Sequence, residues 1–459
     1  MSPALAVALA GALAWAVLLL GRGGFWRCRE NDDDAAALPA PAAWPDVAIL
    51  VPARDEAETI GATVRSLLAQ DYPGRFRLLV VDDRSTDGTG DLARAAAAGD
   101  PRLAVVPGTG RPPGWTGKLN ALRQGLAALR EGPAAPPGPA TAVPETAAPA
   151  ITAPAMASPA MASPAMASPA MASPAMGGPA KAVAAPQAPP AASPQDPPRY
   201  LLFTDADIAH APDSLRRLVA RAEAEGRAMV SLMAKLRCDS PAEHALIPAF
   251  VFFFAMLYPF RWSNDPGART AAAAGGCVLL RREALEAAGG LEPIRGAMID
   301  DCALAALIKH RGATAGSRGG RAPIWLGLTE RVRSLRAYDT LDTIRRMVSR
   351  TAYAQLRYQP LLLLGMLLAL SLVFLAPPLL ALGGLLAGFG PASWIGLATW
   401  LAMALAYQPM LRRYGRSPLW GLALPAVALL YMGFTLDSAW ADWRGRGGMW
   451  KGETRPEQP

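Results

Sequence analysis

The sequence predicts an α/β domain carried on a membrane. Three observations lead there: short apolar strands alternate with helical stretches, long apolar runs stand at both ends, and a middle segment breaks both patterns. At 459 residues the chain has room for a full-sized domain with its own core and about a hundred residues more. Hydrophobic residues make up 52%, the formal net charge is +8 and the mean hydropathy is +0.19, which together favour a bilayer with anionic lipids as partner. Nucleic acid is not the expected partner, because the basic residues lie beside apolar spans and no zinc-finger, helix-turn-helix or aromatic RNA-binding pattern occurs.

Residues Pro3 to Leu20 are almost wholly Ala, Leu, Val, Gly and Trp, followed by Arg22, Arg27 and Arg29. About 18 to 20 such residues cross a hydrocarbon core near 30 Å. The charges follow the apolar run instead of preceding it, the wrong order for a cleaved signal peptide. They assign residues 1–22 as an anchor that leaves the next domain in the cytoplasm.

Between 45 and 131, strands such as Val47–Val51 and Leu78–Val81 alternate with helical patterns such as Ala57–Gln70, the texture of a parallel sheet with crossover helices. Residues 132–198 are Ala, Pro, Ser, Met and Gly, with an Ala-Met-Ala-Ser-Pro repeat from Ala155. Frequent proline and little bulk predict a disordered insertion in a surface loop, too short in its repeat for a solenoid. The α/β pattern resumes at Arg199–Thr204 and continues with a helix near Pro212–Glu225 and a strand near Ala228–Ala234. One domain is therefore split into 45–131 and 199–358.

Ile247–Phe260 is an apolar run of about 14 residues, too short to span; with Arg261 and Trp262 after it, an interfacial helix is preferred to a buried one. Residues 359–441 read as spans at Leu361–Leu382, Leu385–Tyr407 and Leu419–Trp440, with Pro377-Pro378 and Gly383 marking a turn between the first two. Arg412, Arg413 and Arg416 place the loop before the last span in the cytoplasm. Four spans then put the tail 442–459 outside, although Arg444, Arg446, Lys451 and Arg455 argue for inside; either a C-terminal segment is re-entrant or the first is no span.

Chemistry concentrates where strands end. Phe203-Thr-Asp205-Ala-Asp207 closes a buried strand at the edge where open α/β sheets bind ligands, and alternate residues of an extended segment face one way. Asp205 and Asp207 can thus converge on one hard cation, Mg²⁺ or Mn²⁺, unless they only cap the next helix. Asp82 and Asp83 follow the preceding strand in the same manner, with Ser85 and Asp87 forming a helix-start turn as the plainer alternative. The four cysteines and three histidines lack metal-ligand spacing, so a zinc site is not expected; His210 reads as a surface residue.

These motifs together resemble a family 2 glycosyltransferase of the GT-A fold. Pro52-Ala-Arg-Asp-Glu56, Asp82-Asp83, Gly114-Trp-Thr-Gly-Lys118 with Asn120, Asp205-Ala-Asp207 and Asp300-Asp301 occur in that family's order over about Asp46 to Tyr358. Gly-Trp-Thr-Gly-Lys and the aromatic run Phe250–Arg261 are similar, more narrowly, to the hopene-associated glycosyltransferases. The resemblance implies a mixed, mostly parallel sheet flanked by helices. It also implies a nucleotide-sugar donor, a lipid acceptor such as a hopanoid or isoprenoid, Mg²⁺ or Mn²⁺, and a bacterial inner-membrane location. Pro52, Arg54 and Glu56 would border the nucleotide, Asp82 or Asp83 would hold the base, and Lys118 would lie near the diphosphate. Asp205 would contact ribose or metal, Asp207 would ligate the metal, Asp301 would be the general base, and Asp300 stands where Glu is usual. Asp300-Asp301 also suits a helix start.

Asp55 stands where Asn is commoner, and Gln355, Arg357 and Tyr358 only loosely match the Gln-x-x-Arg-Trp signature of processive synthases, so single transfer is expected. A processive polysaccharide synthase and a non-catalytic scaffold are the alternatives. The arginines from Arg331 to Arg357 are expected to hold the domain against an anionic leaflet at about 1 kcal/mol each.

Overall fold

The computed structural model describes residues 1–33, 38–131, 197–313 and 320–445. All but a few residues of the insertion 132–198 and of the tail 442–459 lie outside them. Eight strands form one sheet: β1 Val47–Ala53, β2 Phe76–Asp82, β3 Leu103–Pro107, β4 Tyr200–Thr204, β5 Ile208–His210, β6 Met229–Lys235, β7 Cys277–Arg281 and β8 Ile324–Ser334. Their order is β3-β2-β1-β4-β7-β6-β8-β5. The pairs β1–β2, β2–β3, β1–β4 and β6–β8 are parallel, while β4–β7, β6–β7 and β5–β8 are antiparallel.

β1 is buried at every position, as its continuous Val-Ala-Ile-Leu-Val run requires of a strand covered on both faces. Register pairs Ala53 with Asp82 and Leu50 with Phe203, so β1, β2 and β4 release their chains at a common edge. Helices cover both faces: α2 Ile60–Leu68, α3 Thr89–Ala97, α4 Gly117–Glu131 and α5 Ser214–Ala224 belong to the first part. This is the GT-A type of α/β arrangement, with a mixed and largely parallel sheet.

Next in the chain come α6 Pro241–Leu257, the short α7 Phe260–Asn264 and α8 Arg282–Ala287, α9 Asp300–Arg311, α10 Leu341–Ser349 and α11 Ala352–Gln355. α6 starts with a capping box: Glu243 N–H donates to Ser240 Oγ (3.1 Å) while Ser240 N–H donates to Glu243 Oε2 (2.9 Å). The run anticipated at an interface is instead a core helix. Ile247, Val251, Phe252 and Ala255 are buried against the C-terminal helices, because the helix is apolar on nearly every side.

The N-terminal helix α1 Pro3–Ala16 continues as a π-helical turn to Gly21. At the other end, α12 Pro360–Leu370, a π-helical turn Ser371–Leu375 and α13 Ala376–Ala387 run on as one helix; α14 Pro391–Arg413 and α15 Trp420–Trp443 follow. Among the described residues three helices, Pro3–Gly21, Pro360–Ala387 and Trp420–Trp443, are long and apolar enough to cross a membrane by length and composition. The turn expected at Pro377-Pro378 is absent. Both prolines lie in the first turn of α13, just after the π turn, where a missing N–H costs little. The break falls at Gly388, whose φ of +86° suits glycine, so the span drawn at Leu361–Leu382 becomes Pro360–Ala387, while the one drawn at Leu385–Tyr407 becomes the helix Pro391–Arg413, which is not among the three apolar enough to cross. Trp15 of α1 secures the π turn, its Nε1–H donating to Val373 O at 2.7 Å and its ring meeting Phe374 edge-on.

Candidate active site

The chain leaves β1 as Arg54-Asp55-Glu56, and the loop after β2 fixes it. Asp55 sits at φ +50°, a left-handed conformation that Asp tolerates better than most residues. Its N–H donates to Ser85 Oγ (3.0 Å), Glu56 N–H donates to Thr89 Oγ1 (2.8 Å) and Ala57 N–H donates to Asp87 Oδ2 (2.9 Å). Asp87 therefore ties the loop after β1 to the turn before α3, where it also accepts from Thr89 N–H (3.0 Å), and the tie fixes Glu56 at the edge of the sheet.

Two cations meet the acidic groups at that edge. Lys118, in the first turn of α4, places Nζ 2.8 Å from Asp205 Oδ1 and 3.2 Å from Asp300 Oδ2. Arg336, two residues beyond β8, donates Nε–H to Asp207 Oδ2 (2.7 Å) and Nη2–H to both oxygens of Glu56 (2.7 and 2.6 Å). Asp301, beside Asp300 at the start of α9, accepts from Gly275 N–H (3.0 Å) and Cys302 N–H (2.7 Å). A methyl group at Gly275 would stand 3.0 Å from Lys118 Nζ and 3.5 Å from Asp301 Oδ2, so this glycine lets β7's approach segment pass between them.

The electrostatics follow from burial and crowding. Burial pushes the Asp301 carboxyl up to about 6, aided by the Asp300 charge and opposed by Lys118. Burial also raises Asp205, against the pull of Lys118. For Lys118, burial works downward, yet Asp205 and Asp300 outweigh it and the ammonium is held well above its ordinary range. Arg336 is raised in the same way by Asp207 and Glu56.

A cleft of about 710 Å³ opens over Lys118, Asp205, Asp207, Asp300 and Arg336, whereas Asp301, beside Asp300, is not among its lining residues. Pro52, Arg54, Glu56, Lys118, Asp205, Asp207 and Asp300 line it at the sheet edge; Arg350 follows α10 on the far wall, and Asp437 and Ala441 of α15 close that wall. Asp82 and Asp83 do not line it. Asp82 Oδ1 accepts from Ser85 N–H (3.0 Å), and Asp83 is buried beneath Arg54, 3.8 Å from its Nη1 and 3.5 Å from Arg84 Nε. His210 is not at the surface: it is buried, shares a 2.9 Å hydrogen bond with Thr204 Oγ1, and burial lowers it to about 4.

Among the described residues no three His, Cys, Asp or Glu side chains are placed to enclose a metal ion. Asp205 and Asp207 nevertheless suit Mg²⁺ or Mn²⁺, which take one or two protein carboxylates and fill the remaining positions with phosphate oxygens and water. Each of the two meets its cationic partner through a single oxygen, Oδ1 of Asp205 and Oδ2 of Asp207. Arg336 escaped the sequence reading because it lies 129 residues from Asp207 in a basic stretch assigned to the membrane. Only the path of β8 shows that it returns to the site.

Residues 48–130 match Glycosyl transferase family 2, and residues 197–452 match Glycosyl transferase family 21. The beta-monoglucosyldiacylglycerol synthase of Synechocystis sp. is 38% identical over 91 residues, 19% of this chain and 18% of that protein. The succinoglycan biosynthesis protein ExoU of Rhizobium meliloti is 45% identical over 61 residues, 13% of this chain and 17% of that protein. The chain thus spans under a fifth of the length of these curated relatives. Among solved structures, a mannosyltransferase from Pyrobaculum calidifontis in complex with GDP-Man and Mn²⁺ aligns at 21% identity and TM-score 0.45, covering 94% of this chain and 99% of its own. A glucosyl-3-phosphoglycerate synthase from Mycobacterium tuberculosis in complex with Mg²⁺ and uridine-diphosphate aligns at 17% identity and TM-score 0.34, covering 71% and 81%. With the family 21 match alone spanning more than half of the sequence, and the family 2 match supplying β1 to β3 of the same sheet, the chain belongs to the family 2 and family 21 glycosyltransferases.

Proposed function

We propose that this glycosyltransferase is membrane-bound and inverting, and moves one sugar from a nucleotide-sugar donor to a lipid acceptor such as a hopanoid or an isoprenoid. The observation that carries the reading is the cleft itself: it joins the acidic sheet edge at Asp205, Asp207 and Asp300 to Asp437 and Ala441 of a helix apolar enough for a bilayer. In 91 residues the chain also resembles a protein named for making a glucosyl-diacylglycerol, which supports a lipid acceptor.

In the proposed transfer, Asp301 removes the acceptor hydroxyl proton as that oxygen attacks the anomeric carbon. The bond from that carbon to the diphosphate breaks, and the electron pair leaves with the nucleoside diphosphate. A carboxyl raised to about 6 is ionised at neutral pH and basic enough to take the proton. Lys118, fixed between Asp205 and Asp300, stands ready to stabilise the departing charge. Mg²⁺ or Mn²⁺ held by Asp207 and Asp205 supplies Lewis-acid neutralisation of the diphosphate when bound. Pro52, Arg54 and Glu56 border the donor, and Asp83 supports Arg54 from beneath instead of holding the base itself. The catalytic domain faces the cytoplasm at a bacterial inner membrane, following the arginines after α1.

The test is mass analysis of lipid extracted from vesicles containing the full chain, a nucleotide sugar and candidate lipids. A product heavier by one hexose-type residue is expected; long chains from one acceptor would overturn single transfer in favour of a processive synthase.

A further inference from the structure

α15 qualifies as a span by length, since 24 residues rise about 36 Å against a hydrocarbon core of about 30 Å. Its contacts point elsewhere. The start of α15 and the turn before it are held by α14: Trp400 Nε1–H, near the middle of that helix, donates to Leu422 O (3.1 Å), and Gln408 Nε2–H donates to Pro418 O (3.1 Å). One turn on, Arg413 of α14 lies 3.5 Å from Glu330 on β8, and Lys235 on β6 donates to Arg413 O at 3.0 Å. This end therefore sits against the catalytic sheet.

The other end does too. Asp437 Oδ2 accepts from Arg345 Nη1–H (2.5 Å) and Ser349 Oγ–H (2.9 Å) of α10, the helix that follows the Arg336 segment, and Tyr353 N–H donates to Ser438 Oγ (3.1 Å). Midway, Tyr431 O–H donates to Leu246 O of α6 (2.9 Å). α15 is thus tied at its start to α14, whose own end is bonded to β6 and β8, in its middle to α6 and near its end to α10 and α11, so that neither end is carried away from the catalytic domain to an opposite face of a bilayer. Its remaining face is apolar: Leu422, Leu429, Leu436, Trp440 and Trp443 are 40–56% exposed and recur at three, four or seven residues, one stripe of a helix.

We propose that α15 lies in the plane of the membrane interface, with this stripe in lipid and Asp437 at the mouth of the cleft, so that an acceptor is received from the surrounding leaflet. The inference rests on the membrane reading above and identifies lipid as the occupant of the stripe, which continues the exposed leucines of α12, Leu361, Leu364 and Leu368. Trp440 and Trp443 sit at the helix end as interfacial anchors do, with Arg444 stacked on Trp440 at 4.4 Å. Because α14 ends against the sheet at Arg413, an α15 that stays in the interface also leaves Arg444 on the side of the catalytic domain, as the basic tail requires.

Spin labels at L422C, L429C, L436C and W443C, placed one at a time in the full chain in vesicles with Cys28 and Cys238 replaced by serine, measure depth by relaxation with lipid-soluble oxygen against a water-soluble nickel chelate. Donor turnover by each labelled protein verifies that it is folded. All four labels are expected at one shallow depth, within about 10 Å of the headgroups. A depth that passes through the bilayer centre between Leu422 and Trp443 would overturn the proposal in favour of a span, and labels closed to oxygen would overturn it in favour of a protein partner. An epitope placed after Pro459 is expected to share accessibility with one inserted at Ser158, and one at Phe389 to differ. If all three shared one side, α15 would keep its place and the crossing by α12–α13 would fail instead.

Discussion

Asp301, Lys118 and Arg336 carry the chemistry at the scale of single residues. Asp301→Asn keeps the shape and loses the base, so kcat is expected to fall by roughly 10²–10⁴-fold while donor Kd stays unchanged; steady-state kinetics with donor titration measure both. Because its carboxyl is pushed up to about 6, the active ionised form is lost as pH falls through that value. A plot of kcat/KM against pH should therefore drop about tenfold per unit on the acid side of about 6 and flatten above it. Arg336 competes with any cation for Asp207. Removing it by Arg336→Gln is expected to tighten Mn²⁺ binding to the donor-free protein by on the order of tenfold, about 1.4 kcal/mol, read by calorimetry. A weaker or unchanged Mn²⁺ affinity would mean that the guanidinium only braces the loop.

At the scale of elements, the loops after β1, β2 and β4 form the site because parallel strands in register end together. Thr89 ties two of these loops, its hydroxyl receiving Glu56 N–H and donating to Asp87 Oδ1 (2.5 Å). Thr89→Val should cost about 1 kcal/mol in denaturant unfolding, the net worth of an ordinary hydrogen bond whose partners reach solvent, and loosen donor binding through Glu56. The strands and the acidic edge were legible in the sequence because continuous apolar runs followed by Asp pairs mark strand ends wherever they occur. Arg336 was not, since it is brought to Glu56 across 280 residues by sheet order, which no local spacing encodes. Pro377-Pro378 misled for a related reason: a proline pair reads as a stop, but after a π turn it occupies the one part of a helix that tolerates it. Ile247–Phe260 was ambiguous because an apolar helix facing lipid and one facing other helices have the same composition.

For the whole molecule, β4 enters the sheet beside β1 although 146 residues separate Ala53 from Tyr200 in the sequence, so the low-complexity stretch between α4 and β4 is expected to be dispensable. Excising residues 140–190 should leave donor turnover within about twofold, because loop length changes stability only slowly. The account as a whole stands on Asp205 and Asp207 serving a nucleotide-sugar donor together with a divalent cation. The direct measurement is release of nucleoside diphosphate from a panel of nucleotide sugars by the purified full chain in lipid, with Mg²⁺ or Mn²⁺, beside Asp207→Ala. Release by the unaltered protein and its loss in the variant is the expected result. Equal release by both, or persistent silence of the unaltered protein with no donor bound, would contradict it.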